Sequence, residues 1–180
     1  MSASVETGRS AGRVPAAARH YLPDLVYGAN DGIITTFAVV CGVVGASLSE
    51  RVILILGFAN LVADGFSMGA SNFLARRSYA EASERADGVE AARHGGATIA
   101  GFVVAGTVPL VAYIVPLADG DRFPAAVALT LVTLFAVGAS RAFITKLGWV
   151  RSGAEMLLVG ASAAAVAFGI GALASELIAE

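Results

Sequence analysis

The sequence predicts an all-α membrane protein with five transmembrane helices, its N-terminus cytoplasmic and its C-terminus on the far side. Three observations carry that expectation. Of 180 residues, 57% are hydrophobic and only 14% are charged, with a mean hydropathy of +0.75, whereas soluble domains carry about 25% charged residues. Five apolar stretches each approach the roughly 20 residues that an α-helix needs to cross hydrocarbon. Ten of the 12 basic residues fall on one side once those stretches are threaded alternately through a bilayer, a strong positive-inside bias.

In chain order, Met1–His20 carries Arg9, Arg13 and Arg19 among Ala, Gly and Ser and reads as a cytoplasmic tail. It is not expected to be a signal peptide, because the apolar run after it is too long and contains Asp31. The membrane domain, residues 21–180, then runs through Leu22–Ser47, Val52–Leu74, Gly96–Leu117, Pro124–Ile144 and Gly153–Leu177. Runs this continuously apolar are helices, since lipid satisfies no backbone group and a barrel strand would alternate. Charged breaks separate them: Ser49-Glu50-Arg51, a short cytoplasmic linker over residues 76–94, Asp119 to Arg122, and Lys146 to Arg151. Arg51 and Arg122 are the basic residues left outside, and Glu176 and Glu180 follow on that far side. Within the linker, Glu81, Glu84, Asp87 and Glu90 interleave with arginines and are expected to form a solvated face.

Gly (21 residues) and abundant Ala supply close-packing surfaces for such helices. The lone Cys41 excludes an intrachain disulfide and reads as a small buried hydrophobe. A net charge of -2, with no basic arm interleaved with aromatics, excludes a nucleic-acid role.

Acids inside a span cost about 2.5–3.5 kcal/mol at the helix centre on insertion scales, so each is a functional candidate. Asp24 and Asp31 stand two helical turns apart on one face, with Gly28 between them and Thr35 a turn further on. Gly42 and Gly45 follow on roughly that side and would admit another backbone. In the second span Asn60, Asp64, Ser67, Met68, Ser71 and Asn72 fall within about 140° of one helical face. A stripe of carboxylate, amide, hydroxyl and thioether suits a partly dehydrated cation: oxygen ligands fit Mn²⁺, and the thioether favours softer Fe²⁺ over Mg²⁺ or Ca²⁺. Each piece has a plainer reading. Asp24 at the membrane surface would meet a helix N-terminus favourably, Met68 alone would fill core space, and Asn30-Asp31-Gly32 could be a kink or cap. His20 and His94 lie at span edges, far apart in sequence and without metal-ligand spacing, so neither is strong evidence for a site. The sequence contains no nucleophile elbow, phosphate loop, CxxC or HExxH motif, so no enzyme chemistry is expected.

The segment from Tyr21 through Pro23, Asp24, Tyr27, Gly28, Asn30, Asp31 and Gly32 to Ala38, followed by Ala63-Asp64-Gly65-Phe66-Ser67-Met68-Gly69-Ala70-Ser71-Asn72-Phe73-Leu74, closely resembles the vacuolar iron transporter (VIT) family. The resemblance covers nearly the whole chain from Tyr21. It implies a proton-coupled exporter of Fe²⁺ or Mn²⁺ and a homodimer whose first helices line a pore at the two-fold axis. It also implies metal-binding roles for Asp24, Asp31 and Met68. A family glutamate falls on Asn60 here, while Asp64 offers a carboxylate one turn later. The long Glu- and Met-rich cytoplasmic domain that well-studied members insert between spans two and three is replaced by the short segment Arg76–Arg93, so the chain resembles a reduced member.

From this resemblance, the expectation is export from the cytoplasm by proton antiport in a homodimer. Asp31 from both copies would meet near the axis, with Asp64 and Met68 completing an oxygen and sulfur site. Transported Fe²⁺ or Mn²⁺ is the cargo, no permanently bound cofactor is expected, and lipid is the surrounding partner. Two rivals stand beside it. An intramembrane aspartyl protease would use a carboxylate dyad, but neither aspartate sits in a GxGD pattern. A metal sensor would need an output surface larger than the short soluble segments provide. The Ala-, Arg- and Gly-rich composition points to a bacterial plasma membrane.

Overall fold

The computed structural model describes residues 16–83, 88–143 and 148–178. Among these residues six α-helices make five membrane-length elements: α1 (Ala16–Gly45), α2 (Glu50–Ala82), α3 (Gly88–Gly106) continued by α4 (Val108–Ile114), α5 (Arg122–Ser140) and α6 (Trp149–Ile178). The break between α3 and α4 is local. Pro109 has no N–H for the helix ladder and falls in the first turn of α4, behind Thr107, whose hydroxyl donates back to the Val103 carbonyl at 2.6 Å. No strand occurs among the described residues.

The hairpin joining α1 to α2 has a specific stop. Ser47 takes a left-handed φ of 54°, while its N–H reaches the Val44 carbonyl and the Leu48 N–H reaches Val43 at 3.0 and 3.1 Å. These paired bonds form the Schellman closure that usually recruits glycine. Ser49 then caps α2 in extended conformation.

Helix α1 runs through the middle of the bundle. A Cβ on Gly28 would strike the Thr98 carbonyl of α3, and one on Gly32 the Phe102 backbone; in return, Gly101 faces the Leu25 carbonyl. Gly28 and Gly32, four apart, thus let the two backbones touch in the manner of small-residue membrane interfaces. On the other side, Gly45 lies against the Phe168 backbone and Gly171 against the Gly42 carbonyl, which binds α1 to α6. Gly42 and Gly45 therefore do admit a close backbone, and it belongs to α6 of the same chain.

Helix α2 packs through side chains over most of its length and through main chain at its inner end, where Gly69 and Gly95 face each other's carbonyls. Gly57 receives Leu110, Gly65 receives Phe102 and Gly69 receives Ile99. With Leu61 these form a buried ladder at intervals of four residues, and the polar stripe starting at Asn60 runs directly beside it. The core holds Ile33, Phe102, Leu61, Leu110 and the buried thiol of Cys41. Outward, Val62, Phe66, Val104, Val132, Leu158 and Ile170 are exposed, an apolar surface that water would not tolerate over this area and lipid would.

The basic residues Arg76, Arg77, Arg93, Arg141 and Arg151 cluster at one end of the bundle, the end assigned to the cytoplasm by the positive-inside rule. At the other end Arg122 pairs with Glu50, tying α5 to α2. Residues 1–15 of the tail, with Arg9 and Arg13, lie outside the described residues, as do Glu84, Arg85, Asp87, Lys146 and Glu180. The third membrane helix starts at Gly88 instead of near Gly96. Glu90 and His94 are therefore helical, and their polarity is compensated by partners on α1.

Candidate metal passage and its inner mouth

The hairpin brings the two polar faces into register. Asp31 lies fourteen residues before the end of α1 and Asp64 fourteen after the start of α2, about 21 Å from the turn in each case at 1.5 Å per residue. One turn nearer the outer end, Thr35 and Asn60 meet in the same way: the Thr35 hydroxyl donates to the Asp31 carbonyl at 2.9 Å, and the Asn60 amide approaches Thr35 at a long 3.5 Å. Asp31, Thr35 and Asn60 are partly buried, whereas Asp64 and Ser67 are exposed on the single chain.

Toward the inner end a cavity of about 420 Å³ lies between α1 and α2, lined by Pro23, Asp24, Tyr27, Met68, Ser71 and Asn72. Met68 is partly buried and stands between the aspartate pair and this cavity. Gly28, expected on the passage, is instead buried against α3.

Asp24 is not an open ligand here. Its carboxylate is buried and held from three sides: His94 Nδ1 at 2.6 Å, Asn72 Nδ2 at 2.8 Å and the Arg76 guanidinium at 3.0 Å. Asn72 also donates to the Thr98 hydroxyl at 2.7 Å and accepts from Arg76 at 3.1 Å. Asp24 thus cross-links α1, α2 and α3 at the inner mouth.

Two expectations are corrected at this point. His20 and His94, read as unrelated, stand with ring centroids 4.8 Å apart, because α1 and α3 start at the same end and pack along their lengths. Glu90, read as part of a solvated face, accepts from Tyr21 at 3.3 Å, pairs with His20 at 2.5 Å, and lies 3.4 Å from His94 Nε2. The missed signal was periodic: His20 with Asp24, and Glu90 with His94, are each four apart and share a helical face. On the far side of α1, Tyr27, Asn30, Arg141, Glu155 and Met156 line another cavity of about 500 Å³.

Fold and site together define a polytopic α-helical membrane protein with a cation-compatible polar seam between its first two helices. The chain belongs to the VIT family, whose model matches residues 22–93 and 80–172. It is 41% identical over 68 residues to a vacuolar iron transporter of Toxoplasma gondii, but that alignment spans 36% of this chain and 22% of the relative. It is 30% identical over 175 residues to vacuolar iron transporter homolog 1 of Oryza sativa, covering 86% of this chain and 74% of the relative. With vacuolar iron transporter 1 of Eucalyptus grandis it is 27% identical over 209 positions, covering 82% and 84%. Since 209 aligned positions exceed the 180 residues here, that relative contains sequence this chain lacks.

Proposed function

We propose that this protein carries Fe²⁺ or Mn²⁺ out of the cytoplasm, serving iron and manganese homeostasis, and that it does so as a proton antiporter and a homodimer. The observation that carries the reading is the level pairing of Asp31 and Asp64 deep in the hairpin, with Met68, Thr35 and Asn60 beside them. Oxygen donors with one thioether match the ligand preferences of these ions. The names of the rice and Eucalyptus relatives, vacuolar iron transporters, support iron as cargo.

Exposure of Asp64 supports the dimer. Its neighbours Val62 and Phe66 are 72% and 69% exposed, so on a single chain the carboxylate shares a lipid-facing surface. Leaving it there costs about 2.5–3.5 kcal/mol on insertion scales. An isologous contact takes both carboxylates out of lipid, and a cation bound between the two faces offsets their charge, so that each chain supplies half of one metal site. Proton exchange follows from ligand chemistry, because carboxylates release protons to bind metal and take them up to release it. From composition, residence is in a bacterial plasma membrane; the compared relatives are eukaryotic.

The test is metal flux in proteoliposomes, with Fe²⁺ and Mn²⁺ supplied separately, with and without a pH gradient. Flux driven by an opposing gradient and lost in Asp31→Asn supports the reading. Metal binding without flux would replace it with a sensor, and normal flux in a well-folded Asp31→Asn variant would remove Asp31 from the pathway.

A further inference from the structure

We propose a second transition-metal site at the inner mouth, built from His20, Glu90 and His94 and separate from the Asp31–Asp64 pair. The donor atoms of these three side chains all lie within 4.8 Å of one another. Tetrahedral ligation at about 2.0–2.1 Å sets donors roughly 3.3 Å apart, and His94 Nε2 already stands 3.4 Å from a Glu90 oxygen. Only His20, the exposed member, has to swing to open the centre.

The support beneath the cluster is what distinguishes it from a surface ion pair. His94 is buried, and its other ring nitrogen, Nδ1, is bonded to Asp24 at 2.6 Å. A ligating histidine typically donates its second N–H to a carboxylate, which fixes the tautomer and aims the free nitrogen at the metal. Asn72 and Arg76 in turn hold Asp24, so that Nε2 of His94 is positioned by a chain of partners reaching into α2. Glu90 has partners of its own, Tyr21 and Arg93, which a metal would join or displace.

Two imidazoles and one carboxylate select borderline divalent ions such as Fe²⁺, Co²⁺ or Zn²⁺ over Mg²⁺ and Ca²⁺. Three protein ligands leave coordination positions open, and these face a cavity of about 760 Å³ lined by His20, Asn72, Arg76, Tyr79, Glu90 and His94. Asn72 also lines the cavity that reaches Met68. An ion held at the mouth is thus one residue from the seam. Binding at the mouth stands on its own geometry; only its place ahead of the passage rests on the transport reading.

The experiment is Co²⁺ titration of the full chain in detergent, following visible d–d absorption and bound metal by equilibrium dialysis. The expected result is an imidazole-type Co²⁺ spectrum that Mg²⁺ does not suppress. It should be lost in His20→Ala and in His94→Gln, weakened at least tenfold in Glu90→Gln, and retained in Asp31→Asn. His20→Ala alters an exposed side chain at the start of α1, so it keeps the test decisive if a buried His94 variant misfolds. Co²⁺ bound with the same spectrum and affinity in His20→Ala and the parent overturns the site, as does absence of any imidazole-type spectrum. Loss of flux with the mouth spectrum intact in Asp31→Asn would leave this site standing whatever becomes of the passage.

Discussion

Removing the Asp24 carboxylate should loosen the inner mouth by an amount that can be worked from its partners. Three donors converge on it, from His94, Asn72 and Arg76. Arg76 is 41% exposed, so water replaces much of what it loses and its share is small. His94 and Asn72 are held inside, and a hydrogen bond to a charged group contributes about 1.5–3 kcal/mol. Asp24→Ala should therefore cost about 3–5 kcal/mol, the range for breaking a buried pair and stranding its partner. That lies well above the average of about 0.6 kcal/mol for interhelical hydrogen bonds in membranes. At about 2–4 °C per kcal/mol for a chain of this size, the melting temperature should fall by roughly 10 °C. The assay is thermal unfolding in detergent by circular dichroism, with His94→Ala and the double variant measured alongside. The cycle should be non-additive by at least about 1 kcal/mol, since each single change strands the other's partner. A drop below about 2 °C, or simple additivity, would refute the account of Asp24 as the cross-link of three helices.

Other outcomes follow from the same geometry. Ser47→Gly should stabilise the protein by about 1 kcal/mol, because glycine adopts the left-handed conformation of that position without a Cβ penalty; a thermal shift of zero or below would contradict the hairpin closure. Gly32→Val should separate α1 from α3 and abolish stable expression, or lower the melting temperature by more than 5 °C at about 2 kcal/mol or above; wild-type melting would deny the backbone contact. Met68→Leu conserves volume and should cost less than about 1.5 kcal/mol, while shifting the ratio of Fe²⁺ to Mn²⁺ flux toward Mn²⁺ by several-fold; an unchanged ratio would make Met68 packing alone. With Cys41 buried, Ser67→Cys should yield an oxidant-linked dimer and Val132→Cys should not, and the reverse pattern on a denaturing gel would misplace the interface.

Helix number and the polar stripe could be read in advance because both are properties of one helix at a time. Continuous apolar runs fix spans, and a 3.6-residue period fixes which residues share a face. The pairing of Asp31 with Asp64 needed only the turn at Ser47 to put both at one depth. The inner mouth was hidden for the opposite reason. His20 and Glu90 are 70 residues apart, and their meeting depends on the glycine seam that lets α1 lie against α3. Glu90 also sits among alternating charges that, taken singly, look like any solvated helix. Gly28 was misplaced because a small residue between two aspartates fits a pore wall and a packing contact equally well; the Thr98 carbonyl decides for packing.

The glycine contacts on both sides of α1 also bear on where motion can arise. Carbonyl oxygens of α3 and the backbone of α6 rest where side chains would otherwise cushion them, so turning α1 against either neighbour drives main chain into main chain. Helix α2 is held in that way only at its inner end, where Gly69 and Gly95 lie backbone to backbone and Asn72 and Arg76 bond to Asp24; toward its outer end it meets the side chains of Phe102 and Leu110, which can yield. In mechanical terms α1 is the stator and the outer part of α2 the moving arm, and a transport cycle that exposes the aspartates alternately would be worked by α2 pivoting about its fixed inner end. Amide exchange would register that division directly, with α1 between Leu25 and Gly45 the slowest segment of the chain to take up deuterium.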